Sequence, residues 1–327
     1  MQSRSRSSTP GRACARLIGR GWSQCRVRGV ELLTVDSLSA IPGLVHGFST
    51  RIGGQSKLQG TRALNLGFTD WDSKKAVSEN RRELLCAIGA EEMRLVLLRQ
   101  IHSDIARVID EPALAPTGKP LAERGVTARS TAPAGDALLT SRPGLLLGTQ
   151  TADCVPILLA DTTTRAVAAI HAGWRGTLAR IAAKAVGRMR LEFGTDPADI
   201  VAAIGPAIGR CCYEVGPEVA QAFLGQFRLA ADWFDGPFER LALGEAPDFL
   251  PWLTMVPPGH EAPPERVWLD LRAANYWQLT DAGVRPGKIA VSTLCTACNT
   301  DLLFSYRREG AQTGRQMAVI GMKNTSE

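Results

Sequence analysis

Histidine is scarce in this sequence: four occur in 327 residues, at His46, His102, His171 and His260. Chemistry that needs many imidazoles is therefore closed to it. Long apolar runs are missing too. No stretch approaches the roughly 18 uninterrupted apolar residues of a membrane-spanning helix, so no such helix and no membrane partner is expected. No second Cys-x-x-Cys accompanies Cys295-Thr296-Ala297-Cys298, so a local four-cysteine zinc module is not expected. No histidine has glutamate two positions on, and Leu294 rather than proline precedes Cys295. Both facts disfavour a zinc nucleobase deaminase of the known type. There is no internal repeat.

Acidic residues are absent from the first thirty positions, which hold Arg4, Arg6, Arg12, Arg16, Arg20, Arg26 and Arg28. The net charge of +6 comes largely from that leader, and the body is nearly neutral. A neutral body argues against a surface that wraps nucleic acid. Residues 1–35 are expected to be a disordered or leader-like extension, with a transit segment as the sharper alternative. Residues 36–327 are expected to form one domain. The remaining composition, 45% hydrophobic and 21% charged, is that of a folded globular chain. Eight scattered cysteines in a chain of this size read as reduced thiols, and a cytoplasmic location is expected.

Short apolar runs predict strands at 44–49, 94–100, 104–110, 145–150, 156–160, 166–170, 200–204, 289–293 and 317–322. Helical spacing is rarer. Ser73 caps a helix that runs to Ile88 and stops at Gly89, and Thr177 is expected to cap a second that stops at Gly194. Pro217 suits the first turn of a third, and a fourth runs from about Arg272 to Ala282. Strands and helices do not alternate, which argues against a doubly wound sheet and for an α+β domain with mixed sheets flanked by helices. The proline-rich stretch 236–266 reads as an irregular surface insertion.

His102 lies at a break between two predicted strands, Cys154 after a third, and His171 at the end of a fourth. Strand ends are places where distant parts of a chain converge. Two imidazoles and one thiolate suit Zn²⁺, leave its fourth position open, and would also accept copper. On residue type and spacing alone, a packed cysteine and two hydrogen-bonded histidines are the plainer explanation of the three. The turn Gly173–Thr177, with Arg175, has the form of an anion-binding loop, and Ser49–Gly54, with Arg51, is a weaker case. Cys295 and Cys298 read as structural cysteines after a buried strand, and the adjacent Cys211 and Cys212 as structural as well.

Taken in order, the motifs carry a resemblance. His46-Gly47-Phe48-Ser49-Thr50-Arg51, Asn65-Leu66-Gly67, Gln100-Ile101-His102-Ser103, Gly135-Asp136-Ala137, Thr151-Ala152-Asp153-Cys154, His171–Thr177, Ile204–Gly209, Cys212–Gly216, Cys295-Thr296 and Phe304–Arg308 follow one another as in one family. The sequence over about 36–322 resembles the polyphenol oxidase/purine nucleoside phosphorylase (laccase-domain) family. The resemblance implies a metal site at His102, Cys154 and His171, which would also be the catalytic residues. It implies substrate or phosphate contacts at Arg51, Asn65 and Arg175, and Zn²⁺ or Cu²⁺ as cofactor. The implied reaction is phosphorolysis of adenosine, inosine and methylthioadenosine, with adenosine deamination as a companion. Purine nucleosides and phosphate are then the partners, and a monomer is expected. Phenol oxidation should be slow and incidental, because four histidines cannot furnish both a blue-copper centre and a trinuclear cluster. The alternative is a hydrolase that edits peptidoglycan precursors, with Cys154 as nucleophile and His171 as base.

Overall fold

Apolar residues run almost unbroken through the central strands, which is the pattern of strands covered on both faces. The computed structural model describes residues 13–17, 20–110, 132–236 and 266–324. In chain order the strands are β1 (Ala13–Leu17), β2 (Trp22–Val27), β3 (Val30–Val35), β4 (Leu44–Ser49), β5 (Ser56–Leu58), β6 (Thr61–Ala63), β7 (Arg94–Val96), β8 (Ala106–Val108), β9 (Ala137–Thr140), β10 (Leu145–Thr151), β11 (Val155–Asp161), β12 (Val167–Ala172), β13 (Ile200–Ile204), β14 (Glu214–Val215), β15 (Phe234–Asp235), β16 (Val267–Leu269), β17 (Ile289–Val291) and β18 (Gln316–Met322). The helices are α1 (Asp36–Ser39), α2 (Lys74–Ile88), α3 (Trp174–Leu178), α4 (Ile181–Phe193), α5 (Pro217–Gln226), α6 (Leu271–Asp281) and α7 (Tyr306–Glu309).

Two mixed sheets dominate. One has seven strands in the order β1-β2-β3-β4-β18-β10-β7, and the other six in the order β17-β13-β11-β12-β9-β8. Side chains alternate across each strand, so each sheet has two apolar faces. Phe48, Leu158, Ala160, Val167, Ala169, Ala318 and Ile320 pack together between the sheets. Val45, Leu146, Met317 and Val319 turn the other way, onto Leu84, Leu85 and Ile88 of α2. On the far side, Ile157, Leu159, Ala168 and Ile170 meet Ile181, Ala185 and Met189 of α4, Phe223 of α5 and Leu279 of α6. The result is four layers, helix on sheet on sheet on helix, an α+β fold as the missing alternation implied.

Local signals behave as expected in three of the predicted helices. Ser73 accepts from the Ala76 N–H and Gly89 closes α2 with φ of 66°. Pro217 opens α5. The fourth predicted helix begins at Leu271, because Asp270 caps it by accepting from the Ala273 N–H. Thr177 does not cap α4. It lies inside the short α3, buried, where its hydroxyl accepts from Asn275 and its carbonyl from Gln278, both on α6. α4 is entered instead through Arg180, at φ of 64°.

The expected extension through residue 35 needs correction. β2 and β3 pair with each other and β3 pairs with β4, and Trp22, Leu33 and Val35 belong to the apolar layer between the sheets. The arginine-rich, acid-free composition of the first thirty residues disguised these strands as a tail. Of the expected insertion, residues 237–265 lie outside the described residues, and His260 with them.

Candidate metal centre

Register brings the site together. β11 and β12 are antiparallel, with Val155 opposite Ala172 and Pro156 opposite His171, so Cys154 stands beside Gly173 at the strand ends. β9 runs antiparallel to β12 with Ala137 opposite Ile170, so Asp136 stands beside His171. β8 is parallel to β9, with Ala106 beside Ala137, and carries the preceding loop, residues 101–105, to the same end of the sheet. His102, Cys154 and His171 converge there, with their ligand atoms all within 4.8 Å of one another. Cys154 Sγ lies 3.8 Å from His102 Nε2, and the two imidazoles meet edge to face with centroids 4.9 Å apart.

Asp136 organises this cluster, a role that the sequence motif did not reveal. Its carboxylate accepts from the N–H groups of Ile101, His102 and Ser103, at 3.2, 3.0 and 2.6 Å, and from the Ser103 hydroxyl at 2.7 Å. It also accepts from His171 Nδ1 at 2.9 Å. The first set holds His102 in a left-handed conformation, φ 58°, which a histidine seldom adopts. The last bond fixes the His171 ring and leaves Nε2 as its ligand atom, the carboxylate–histidine arrangement common behind bound metals. Burial opposes ionisation of Asp136, yet the bonds from His171 and Ser103 outweigh it and hold the carboxyl down at about 2.

The thiol and imidazole are tuned as a pair. Burial alone would raise Cys154, but the charge of His171 and the hydrogen bonds from His102 and His171 lower it to about 6. Burial would lower His171, but the Cys154 thiolate and Asp136 raise it to about 9. The lowering of Cys154 favours its thiolate, the form that ligates metal.

The cluster closes tightly against the chain. A Cβ at Gly173 would come within 2.9 Å of His102 Cδ2 and 3.0 Å of Cys154 Sγ, so glycine is required where the cluster closes. Two imidazoles and a thiolate so placed fit Zn²⁺ with one position open, and they admit Cu²⁺. His46 stands apart: its Nε2 accepts from the Val35 N–H inside the sheet. Among the described residues there is no histidine-rich array for several coppers.

The wall beside Cys154 comes from distant loops. Asp153 holds φ of 93°, and its carboxylate accepts from the Thr296 hydroxyl at 2.6 Å and the Arg307 N–H at 2.6 Å. Burial pushes the Tyr213 hydroxyl up, and the charges of Cys154 and Asp153 push it further, against opposing effects of Arg307 and Arg175. Tyr213 and Arg307 are thus neighbours of the site, the arginine lying over the tyrosine ring at 5.4 Å. Their signal was present in two motifs but carried no distinct chemistry there.

The expected substrate residues divide. Arg175 is exposed and stacks on Trp174 at 4.4 Å, next to the cluster in sequence. At five residues α3 is too short to add much dipole, so any anion affinity of that turn rests on the guanidinium. Arg51 is engaged elsewhere: it pairs with Glu309 at 2.8 Å, donates to the Thr300 carbonyl and lies over Phe304. Asn65 is fully buried, donates to Gly67 and Asp72, and accepts from Gly67 and Arg315. Both hold loops together through these bonds. A cavity of about 80 Å³, lined in part by Arg81, Arg99, Gln150 and Arg315, shares no lining residue with the cluster.

Similarity points the same way as the geometry. Residues 45–323 match the family model described as multi-copper polyphenol oxidoreductase laccase. Purine nucleoside phosphorylase YlmD of Geobacillus stearothermophilus is 35% identical over 308 residues, covering 93% of this chain and 95% of that one. A protein named adenosine deaminase RL5, from an unknown prokaryotic organism, is 35% identical over 90% of this chain and its own whole length. The crystal structure of the hypothetical protein YfiH of Bacillus licheniformis superposes with a TM-score of 0.71 at 30% identity, covering 89% of this chain and 96% of that one. With its motifs in order, its fold matched and nearly its whole length aligned, the chain belongs to the multi-copper polyphenol oxidoreductase laccase family, alongside relatives named for purine nucleoside chemistry.

Proposed function

We propose that the chain is a metal-dependent purine nucleoside phosphorylase that splits adenosine, inosine and methylthioadenosine with inorganic phosphate. The observation that carries this reading is the convergence of two imidazoles and a thiol at one point, in a chain with a relative named for this activity. His102, Cys154 and His171 would hold Zn²⁺, or Cu²⁺ as the second choice. A cation bound there supplies Lewis-acid polarisation of an oxygen in the open position.

In the reaction the C1′–N9 bond breaks and its electron pair leaves with the purine, while a phosphate oxygen bonds to C1′. Arg175 and Arg307 hold the phosphate through charge-assisted hydrogen bonds. Tyr213, kept protonated by burial and neighbouring negative charge, donates a hydrogen bond to the departing base. Ile101 and Ile105, both exposed on either side of His102, offer apolar surface to the purine. Asp136 keeps both imidazoles in place without touching substrate.

Purified enzyme given inosine should release hypoxanthine and ribose 1-phosphate only when phosphate is present. Arg175→Ala should raise the phosphate KM roughly ten- to hundredfold, the worth of one charge-assisted bond. Equal hypoxanthine release with and without phosphate would mean hydrolysis and overturn the scheme.

Water in place of phosphate would direct attack to C6 of adenosine, and the relative named adenosine deaminase favours that companion activity. Ammonia release from adenosine in phosphate-free buffer reads it. The low Cys154 thiol favours one further reading, nucleophilic hydrolysis of a cell-wall amide. A covalent adduct on Cys154 after incubation with a muropeptide would select it over phosphorolysis.

A further inference from the structure

We propose a second, structural metal site: a Zn²⁺ bound by the four thiolates of Cys211, Cys212, Cys295 and Cys298, bracing the wall of the His102–Cys154–His171 centre. Sequence spacing hid it, since the Cys295–Cys298 motif has no matching partner and adjacent cysteines rarely share an ion. Folding supplies what spacing did not. The segment after β13 and the loop after β17 leave parallel neighbouring strands and stay paired, with Ala207 bridging Cys295. The turn that follows, closed by N–H groups of Cys212 and Tyr213 onto the Gly209 carbonyl, brings both adjacent thiols against Cys298.

The geometry is that of a thiolate tetrahedron. Zn–S bonds of about 2.3 Å imply sulfur–sulfur edges of roughly 3.8 Å. Here Cys211 Sγ and Cys212 Sγ lie 3.6 and 3.4 Å from Cys298 Sγ, and all four sulfurs fall within 4.8 Å of one another. These separations are far beyond the roughly 2.05 Å of a disulfide. Four thiolates around one zinc leave two negative charges, and donors are placed to meet them. The Gly209 N–H donates to Cys295 Sγ at 3.1 Å, and the Arg308 guanidinium lies 3.9 Å from Cys212 Sγ. Gly209 also admits the approach: a Cβ there would stand 3.2 Å from both Cys211 Sγ and Cys295 Cβ, and 3.1 Å from the Arg272 guanidinium. Four protein ligands and no vacant position make this a structural rather than catalytic site. Soft thiolates select zinc over oxygen-seeking cations.

The site matters because of what the clamped loops touch. Thr296, between two of the ligands, donates to Asp153 Oδ1, and the Ile208 N–H donates to the Asp153 carbonyl. Asp153 is the left-handed residue that presents Cys154. Fixing both loops to one ion therefore fixes the backbone behind the first centre.

The test must not depend on the first centre, so it is run in the Cys154→Ala background. Folded full-length Cys154→Ala, purified with zinc and freed of loosely held ions, should retain about one zinc per chain by elemental analysis. Adding Cys295→Ser or Cys298→Ser should remove it and expose the remaining thiols to alkylation. Cobalt replacing that zinc should give the intense thiolate charge-transfer and visible bands of tetrahedral sulfur coordination. The circular dichroism spectrum and monodispersity of each variant show whether it is folded. His102→Ala serves as a second background if Cys154→Ala does not fold. A folded chain with no retained zinc, or a Cys212–Cys298 disulfide found by mass under non-reducing conditions, overturns the proposal.

Discussion

Asp136 shows how one side chain can set the geometry of a site it does not enter. Its bonds to three successive backbone N–H groups and to His171 require a carboxylate with all its lone pairs in use. Asp136→Asn turns one acceptor into a donor that faces an N–H. The variant should lose about 1–3 kcal/mol of stability, the cost of unpaired buried groups. Metal affinity should fall roughly ten- to hundredfold, as removal of such supporting carboxylates does elsewhere. A chelator competition titration beside a denaturant melt separates the two effects. Gly173→Ala is the complementary case. Its methyl would press on His102 and Cys154, so metal retention should collapse while the melting curve shifts little.

Residues differ in how far their sequence context reveals them. His102, Cys154 and His171 are ambiguous on residue type and spacing, and only the resemblance of their motifs to a known family marks them as candidate ligands; the fold then brings their ligand atoms together. Asp136 stands in a motif too, but an aspartate has many uses, and this one follows from the β9–β12 register. Arg51 and Asn65 look equally eligible in sequence. Their partners Glu309 and Arg315 lie 258 and 250 residues away, beyond any local pattern.

At the scale of elements, the β11–β12 connection carries a second buried carboxylate. Asp161 accepts from the N–H groups of Thr163 and Thr164, at 2.7 and 3.2 Å, and from the Thr164 hydroxyl at 2.5 Å. Burial would raise its carboxyl, but those hydrogen bonds outweigh it and lower the pKa below the ordinary range. A carboxyl depressed on folding stabilises the fold above its unfolded pKa and loses that contribution as pH falls through the folded value. Asp161→Asn should therefore cost about 1–3 kcal/mol near neutral pH. Denaturant midpoints of the two proteins should converge under strong acid, and a constant gap across pH would refute the charge argument. Strand periods were readable here because both sheets are covered on two faces. The α3–α4 break was not, because it depends on Asn275 and Gln278 of α6 engaging Thr177.

The whole molecule depends on its first described strands more than its composition suggests. β2 and β3 place Trp22, Leu32, Leu33 and Val35 in two apolar layers, each almost fully buried. Burial of each is worth roughly 1.5–3 kcal/mol, and the net stability of a domain is only about 5–15 kcal/mol. A chain beginning at residue 36 should fail to fold stably, seen as loss of a cooperative thermal transition. A truncated chain that melts like the full-length protein would return those strands to the status of an extension. An acid-free composition over residues 1–30, rich in arginine, serine and glycine, with no apolar period long enough to stand out, made this region look like a tail.

Anomalous diffraction at the zinc edge from zinc-loaded crystals observes directly whether the three side chains meet at one ion. The predicted map has a peak about 2.0–2.3 Å from His102 Nε2, Cys154 Sγ and His171 Nε2 together. A map with no peak among these atoms, in crystals whose solution retained activity, would contradict it.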